Sequence, residues 1–146
     1  MICIASDHGG YAMKQELMDY LRKKGVEFED LGCYSEESCN YPEYAEKAAR
    51  AVVAGTYEKG ILICGTGLGM SIAANKVRGA RCAVLSDCLS AELCRQHNDA
   101  NLIALGGRVL GPELAKRLVD IFLTTPFEGG RHAKRVAMYT DIENRT

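Results

Sequence analysis

Short apolar runs alternate with helically spaced apolar positions along the whole chain. "MICIAS" (1–6) is apolar enough to be a strand buried on both faces. Residues 11–24 set Met13, Leu17, Met18 and Leu21 on one helical face, with Lys14, Glu16, Asp19, Arg22 and Lys23 elsewhere and Gly25 as a C-cap. "VEFEDL" (26–31) reads as a strand, and a polar loop, "GCYSEESCNYP", leads to a helix at about 42–54 with Pro42 in its first turn. A strand at 61–64, a helix at about 68–76, "RCAVLS" (81–86), a helix near 88–97 and "NLIALG" (101–106) continue the alternation. Gly111-Pro112-Glu113 opens a helix carrying Leu114, Leu118, Ile121 and Phe122, and a last helix spans roughly 131–143. This alternation predicts one α/β domain over 1–146, a doubly wound, mainly five-stranded parallel sheet with right-handed crossovers and a C-terminal helix.

In such a sheet, ligands bind beyond the carboxyl ends of the strands. The segments delivered there are Asp7-His8-Gly9-Gly10, Cys64-Gly65-Thr66-Gly67-Leu68-Gly69, Ser86-Asp87 and Gly106-Gly107-Arg108. The second of these matches no familiar phosphate or nucleophile template. The dinucleotide fingerprint G-x-G-x-x-G needs glycine at Met70, the P-loop needs lysine at Thr66, and the nucleophile elbow needs a serine between spaced glycines. What remains is a glycine-rich turn into a helix, which suits an anion because backbone N–H groups can approach it closely. The same loop would also serve as a plain strand-to-helix turn, so the loop alone leaves both readings open.

Composition narrows the classes. A formal net charge of -1 gives no basic excess for nucleic acid or an anionic membrane surface, and no apolar run approaches the length of a membrane span. The N-terminus lacks the basic start and long apolar stretch of a signal peptide, so a cytoplasmic location is expected. Seven scattered cysteines with no C-x-x-C fit neither a disulfide framework nor a zinc site. They are expected to be mostly small buried hydrophobes, Cys3 and Cys82 especially, and no metal is expected. Cys64 differs from the rest in ending a strand at the glycine loop, where a helix N-terminus can make a thiol a usable base, although taken alone it reads first as a buried structural cysteine.

The three histidines lie in "SDHGG" (His8), "CRQHNDAN" (His97) and "EGGRHAKR" (His132), and Arg131 and Arg135 share a helix face that reads on its own as a solvated basic face or as a grip for a phosphate. Together, "SDHGGYAMK", "NYPEYA", "GILICGTGLGMSIAANK", "RQHNDANLIALGGRV" and "FEGGRHAKRV" closely resemble the B-type ribose-5-phosphate isomerases, the family that includes the lactose-pathway galactose-6-phosphate isomerase subunits. The resemblance covers nearly the full chain in the same order. It implies a Rossmann-like three-layer α/β/α sandwich, a homodimer that can pair into a tetramer, active sites at the subunit interface, and no metal or organic cofactor.

Carried over by position, the resemblance makes Cys64 the base that moves a proton between C2 and C1 of an open-chain sugar. Some members instead use a glutamate where Met70 stands here. It makes His97, donated by the partner subunit, the residue that opens the sugar ring, with Asp7 as a base on the anomeric hydroxyl. Gly65, Thr66, Gly67, Leu68 and Gly69 become the cradle for the enediolate oxygens. Asp7, His8, Tyr41 and Asn98 contact the sugar, and His8, Arg108, Arg131 and Arg135 hold the phosphate.

The implied reaction is aldose–ketose isomerisation between ribose 5-phosphate and ribulose 5-phosphate in the pentose phosphate pathway. Its chemistry suits these residues: a base beside a carbonyl, preorganised donors for an enediolate and a remote phosphate to orient the substrate. Isomerisation of a hexose 6-phosphate (allose or galactose 6-phosphate) is the alternative within the class. A non-catalytic sugar-phosphate or nucleotide binding module is the alternative outside it.

Overall fold

A computed structural model describes all 146 residues. Five parallel strands, β1 (Ile2–Ser6), β2 (Phe28–Asp30), β3 (Gly60–Cys64), β4 (Cys82–Val84) and β5 (Leu102–Gly106), form one sheet in the order β2-β1-β3-β5-β4. The helices are α1 (Tyr11–Lys23), α2 (Tyr41–Val53), α3 (Leu68–Ala74), α4 (Cys88–Gln96), α5 (Pro112–Thr124) and α6 (Arg131–Asn144), with a 3₁₀ turn at His8–Gly10 before α1. The five-stranded parallel sheet anticipated from the alternation is therefore present.

The middle strands β1, β3 and β5 are buried at every position, which is why they are apolar throughout except for Ser6 at the end of β1. Their side chains divide between two cores. Ile2, Ile4, Ile61, Ile63, Ile103 and Leu105 meet Leu17, Leu21, Leu118 and Phe122 on the side of α1, α4 and α5. Cys3, Ala5, Leu62 and Ala104 meet Ala45, Ala48, Ala49 and Val52 of α2 on the other, where α3 also packs. The small residues on this second face let α2 lie close to the sheet.

The edge strands β2 and β4 are three residues each, shorter than the spans expected at 26–31 and 81–86, because they pair on one side only and carry partly exposed residues. Cys82 is half-buried rather than buried in consequence, whereas Cys3 is fully enclosed and its thiol is pushed up to about 12, chiefly by burial. A larger departure concerns Lys14, which the helical pattern sets on the polar face of α1. It is fully buried, with Nζ 2.6 Å from Asp30 Oδ1 and donating also to the Cys33 carbonyl. No helix is long and apolar enough to cross a membrane.

The direction of travel fixes where chemistry can sit. From β1 the chain goes by α1 to β2 on one side, and from β3 it goes by α3 to β4 on the other. The crevice between the carboxyl ends of β1 and β3 is thus the topological switch point. Conversely α4 and α5, leaving the carboxyl ends of β4 and β5, run back to the amino edge of the sheet.

Candidate active site

Three loops converge at the switch point. After β1, the Asp7 carboxylate accepts the Gly10 N–H at 3.0 Å, which caps the 3₁₀ turn, while the Asp7 N–H donates to the Ile63 carbonyl. The turn is pressed onto β3: a Cβ on Gly10 would lie 2.4 Å from the Ile63 oxygen, so no other residue fits there. After β5, the Gly107 N–H donates to the Cys64 carbonyl (2.8 Å) and that of Arg108 to the Gly65 carbonyl (2.9 Å). These bonds bring the Arg108 side chain alongside Gly65, and Gly9 also faces the backbone of Gly65.

Cys64 is buried at the floor of this meeting point, and its sulfur accepts the Gly67 N–H at 3.1 Å. A backbone donor aimed at sulfur interacts more strongly with a thiolate than with a thiol. Gly67 reaches this geometry with φ 82°, a left-handed conformation in which a side chain would be strained. The Thr66 hydroxyl accepts the Leu68 N–H at 3.2 Å and lies at the exposed rim. The N–H groups of Gly65 and Thr66, in the loop that follows Cys64, make no hydrogen bond within the chain. Tyr41, at the start of α2, lays its ring over Gly69, where a Cβ would be 2.7 Å from the ring carbons.

His8 is half-buried above Asp7, and its Nδ1 accepts the Cys39 N–H at 3.2 Å. An accepting Nδ1 places the proton on Nε2, so that nitrogen is a donor. The 31–39 loop that supplies this N–H is itself tied down by Lys14 through Asp30 and the Cys33 carbonyl. Neither the Cys39 contact nor the buried lysine beneath it was visible in the sequence, since both join segments far apart in the chain.

His97, Asn98, Arg131 and Arg135 lie elsewhere. His97 ends α4 and Arg131 begins α6, both at the amino edge of the sheet, with the five-residue β3 (about 16 Å) between that edge and Cys64. The segment joining α5 to α6 is fastened to the end of α4: Glu128 N–H donates to the Gln96 carbonyl (3.1 Å) and Arg95 Nε to the Thr125 carbonyl (3.1 Å). Asn98 donates to the Tyr139 hydroxyl. The His97 imidazole stacks on that of His132, centroids 4.1 Å apart and planes within 10°. His132 was not among the residues singled out from the sequence as functional.

One chain therefore carries two half-sets. Cys64, Thr66, Asp7, His8, Tyr41 and Arg108 gather at the carboxyl edge, whereas His97, Asn98, Arg131 and Arg135 gather at the amino edge. His97, Glu128 and His132 bring potential metal-ligating atoms within 4.8 Å of one another. The two parallel rings send their lone pairs along parallel planes instead of toward one point, which is not the convergence a tetrahedral metal requires.

The match to known proteins is extensive. Residues 2–139 match the Ribose/Galactose Isomerase family. The chain is 51% identical over 144 residues to ribose-5-phosphate isomerase B of Escherichia coli, covering 99% of this chain and 97% of that one. The solved ribose-5-phosphate isomerase B of Clostridium thermocellum superposes with a TM-score of 0.97 at 51% identity, covering 99% of this chain and 97% of that one. That of Mycoplasma genitalium, solved with bound ribulose-5-phosphate, superposes with a TM-score of 0.93 at 39% identity, covering 99% of this chain and 97% of that one. With both its sequence and its fold matched over almost their entire length, this chain belongs to the ribose/galactose isomerase family.

Proposed function

We propose that this chain, acting as one catalytic domain, interconverts ribose 5-phosphate and ribulose 5-phosphate, with each active site assembled from two copies. The observation that carries the chemistry is Cys64: a buried sulfur that accepts the Gly67 N–H, followed by a loop in which the N–H groups of Gly65 and Thr66 have no partner within the chain. In the open-chain aldose the Cys64 thiolate takes the proton from C2 and returns it to C1. Negative charge passing through the enediolate oxygens meets the glycine-loop donors and the Thr66 hydroxyl, already oriented before the reaction.

The cyclic substrate must open first. His97 gives a proton to the ring oxygen while Asp7 takes the one on the anomeric hydroxyl. His8, through Nε2–H, holds the phosphate together with Arg108 from the same chain and Arg131 and Arg135 from the other, because guanidinium groups pair bidentately with phosphate. Tyr41 and Asn98 contact the sugar.

The split between carboxyl-edge and amino-edge groups supports a shared site, since one chain cannot bring His97 to its own Cys64 without crossing the sheet. Exposed apolar residues supply a surface for the pairing: Leu68 and Ile72 of α3, Leu89 of α4, and Met138 and Ile142 of α6. A homodimer in the cytoplasm, without metal or organic cofactor, is the assembly this reading requires.

The test is a proton NMR time course in D₂O with chelator and ribose 5-phosphate. Ribulose 5-phosphate carrying solvent deuterium at C1 is the expected product, and Cys64→Ser should abolish its formation while phosphate binding survives. Near-normal turnover in that variant would remove Cys64 from the role of base. Faster conversion of allose or galactose 6-phosphate in the same tube would reassign the substrate.

A further inference from the structure

His132 has no part in the reaction as described, yet it is the most enclosed histidine of the three, only 6% exposed at the first turn of α6. Its Nε2 lies 3.6 Å from Glu128 Oε2, and Glu128 is held in turn by its backbone bond to Gln96, the residue before His97. The His97 ring lies flat on this enclosed imidazole. Resting on the isomerase reading above, we propose that His132 is a positioning residue for ring opening: it holds the His97 imidazole in one plane, aimed away from its own chain toward the site it completes.

The need for such a residue follows from where His97 sits. As the residue that ends α4, it has a helix on one side only and is half-buried, so its side chain would otherwise sample several rotamers. A proton donor that must meet a ring oxygen contributes only in the fraction of time it points there. A ring stacked on a second, immobile ring loses that freedom before substrate arrives.

The charged groups around the pair suit the assignment. Glu128 faces His132 from the connecting segment, Arg131 and Arg135 from α6, and His97 from α4. Burial first, then the neighbouring His97 and arginines, pushes His132 below the ordinary histidine range, with Glu128 pulling the other way. A neutral His132 lets a proton reside on His97 without a like charge against its face.

Two rates on the same protein separate positioning from mere structural support. Conversion of ribose 5-phosphate requires ring opening. Uptake of solvent deuterium at C1 of ribulose 5-phosphate does not, because its C2 ketone cannot form a furanose once O5 is phosphorylated. In His132→Ala the conversion should fall by about tenfold to a hundredfold, the range a misplaced catalytic group costs, while C1 exchange stays within about twofold. His132→Phe keeps a ring for His97 to stack on and should restore conversion to within about threefold of the parent. If His132→Ala fails to fold, both rates vanish together, and the comparison passes to His132→Gln, of similar bulk but without a ring, against His132→Phe. The glutamine variant should then show the selective loss.

Equal losses of conversion and exchange in a folded variant would overturn the proposal, as would unchanged conversion in His132→Ala. Selective loss in His132→Phe as severe as in His132→Ala would overturn it as well, making the imidazole a proton carrier instead of a support. A parent protein that neither converts ribose 5-phosphate nor exchanges C1 would overturn the isomerase reading itself, and this assignment with it.

Discussion

Replacing Lys14 by methionine removes a buried charge while nearly preserving volume, so its cost measures polar interactions with little cavity contribution. The ammonium is fully enclosed, 2.6 Å from Asp30 and bonded to the Cys33 carbonyl, with the rings of Tyr11 and Tyr34 5.6 and 5.5 Å away. Its loss leaves the Cys33 carbonyl unpaired, at about 1–3 kcal/mol for a buried acceptor. It also strands the Asp30 carboxylate, though less severely than the 3–5 kcal/mol typical of a wholly buried partner. Asp30 remains 23% exposed and keeps the Gly32 N–H at 2.9 Å. Together the losses come to about 3 kcal/mol. In urea, with a slope of about 2 kcal/mol/M, the midpoint should fall by about 1.5 M. The double variant Lys14→Met/Asp30→Asn should recover part of that loss, since no unpaired charge remains and asparagine still accepts from Gly32. A loss below about 1 kcal/mol in Lys14→Met, or a double variant that costs the sum of the two singles, would refute the reasoning. The same change should raise KM, because the loop that Lys14 anchors delivers the Cys39 N–H to His8.

Two glycines at the site should behave differently. In Gly69→Ala the new methyl meets the Tyr41 ring at 2.7 Å, a side chain free to swing outward, so the fold should survive while KM for the sugar phosphate rises about tenfold, one lost contact of roughly 1.4 kcal/mol. In Gly10→Ala it meets the backbone carbonyl of Ile63 at 2.4 Å, and native circular dichroism should be lost; a native spectrum would contradict the packing. The pH dependence of stability carries the sign of His132. Because its value is lowered in the folded state, the unfolded chain binds the proton first, so its contribution is intact above the unfolded value of about 6.5 and is lost as pH falls below it. His132→Phe should therefore flatten the decline of stability below about pH 6.5 relative to the parent. An identical slope would mean that His132 is not held neutral.

What could be read from the sequence follows how local each determinant is. The central strands announce themselves as apolar runs because both of their faces are covered, and Cys64 with its glycine loop is legible because a strand, a turn and a helix N-terminus occupy adjacent positions. The edge strands are shorter than their apolar flanks suggest: Val26 and Leu31 bracket β2 but differ in parity and enter opposite cores, and the register with β1 runs only from Phe28 to Asp30. Lys14 defeated the helical pattern for a different reason: its partners, Asp30 and the Cys33 carbonyl, are 16 and 19 residues away, and nothing within α1 distinguishes a lysine with a buried partner from one in water. His132 was hidden by the arginines beside it. "RHAKR" reads as a basic helix face, and only the return of the 125–130 segment onto α4 turns the histidine inward against His97.

The separation of the two half-sets has a consequence that mixing experiments can reach. Because β4 and β5 are parallel, α4 returns from the carboxyl edge to the amino edge between them, so Cys64 and His97 of one chain occupy opposite ends of its sheet. Cys64→Ser and His97→Asn should each inactivate every site of their own homodimer toward ribose 5-phosphate. Unfolded together and refolded in equal amounts, they pair at random, and half of the dimers contain one chain of each kind. In such a dimer one site receives both defects and the other receives an intact Cys64 from one chain and an intact His97 from its partner. Activity should therefore return from near zero to roughly a quarter of the parent's, with KM unchanged, because every working site is complete. If each chain instead built its whole site from its own residues, no combination would unite the two intact groups, and the mixture would stay as inactive as its components.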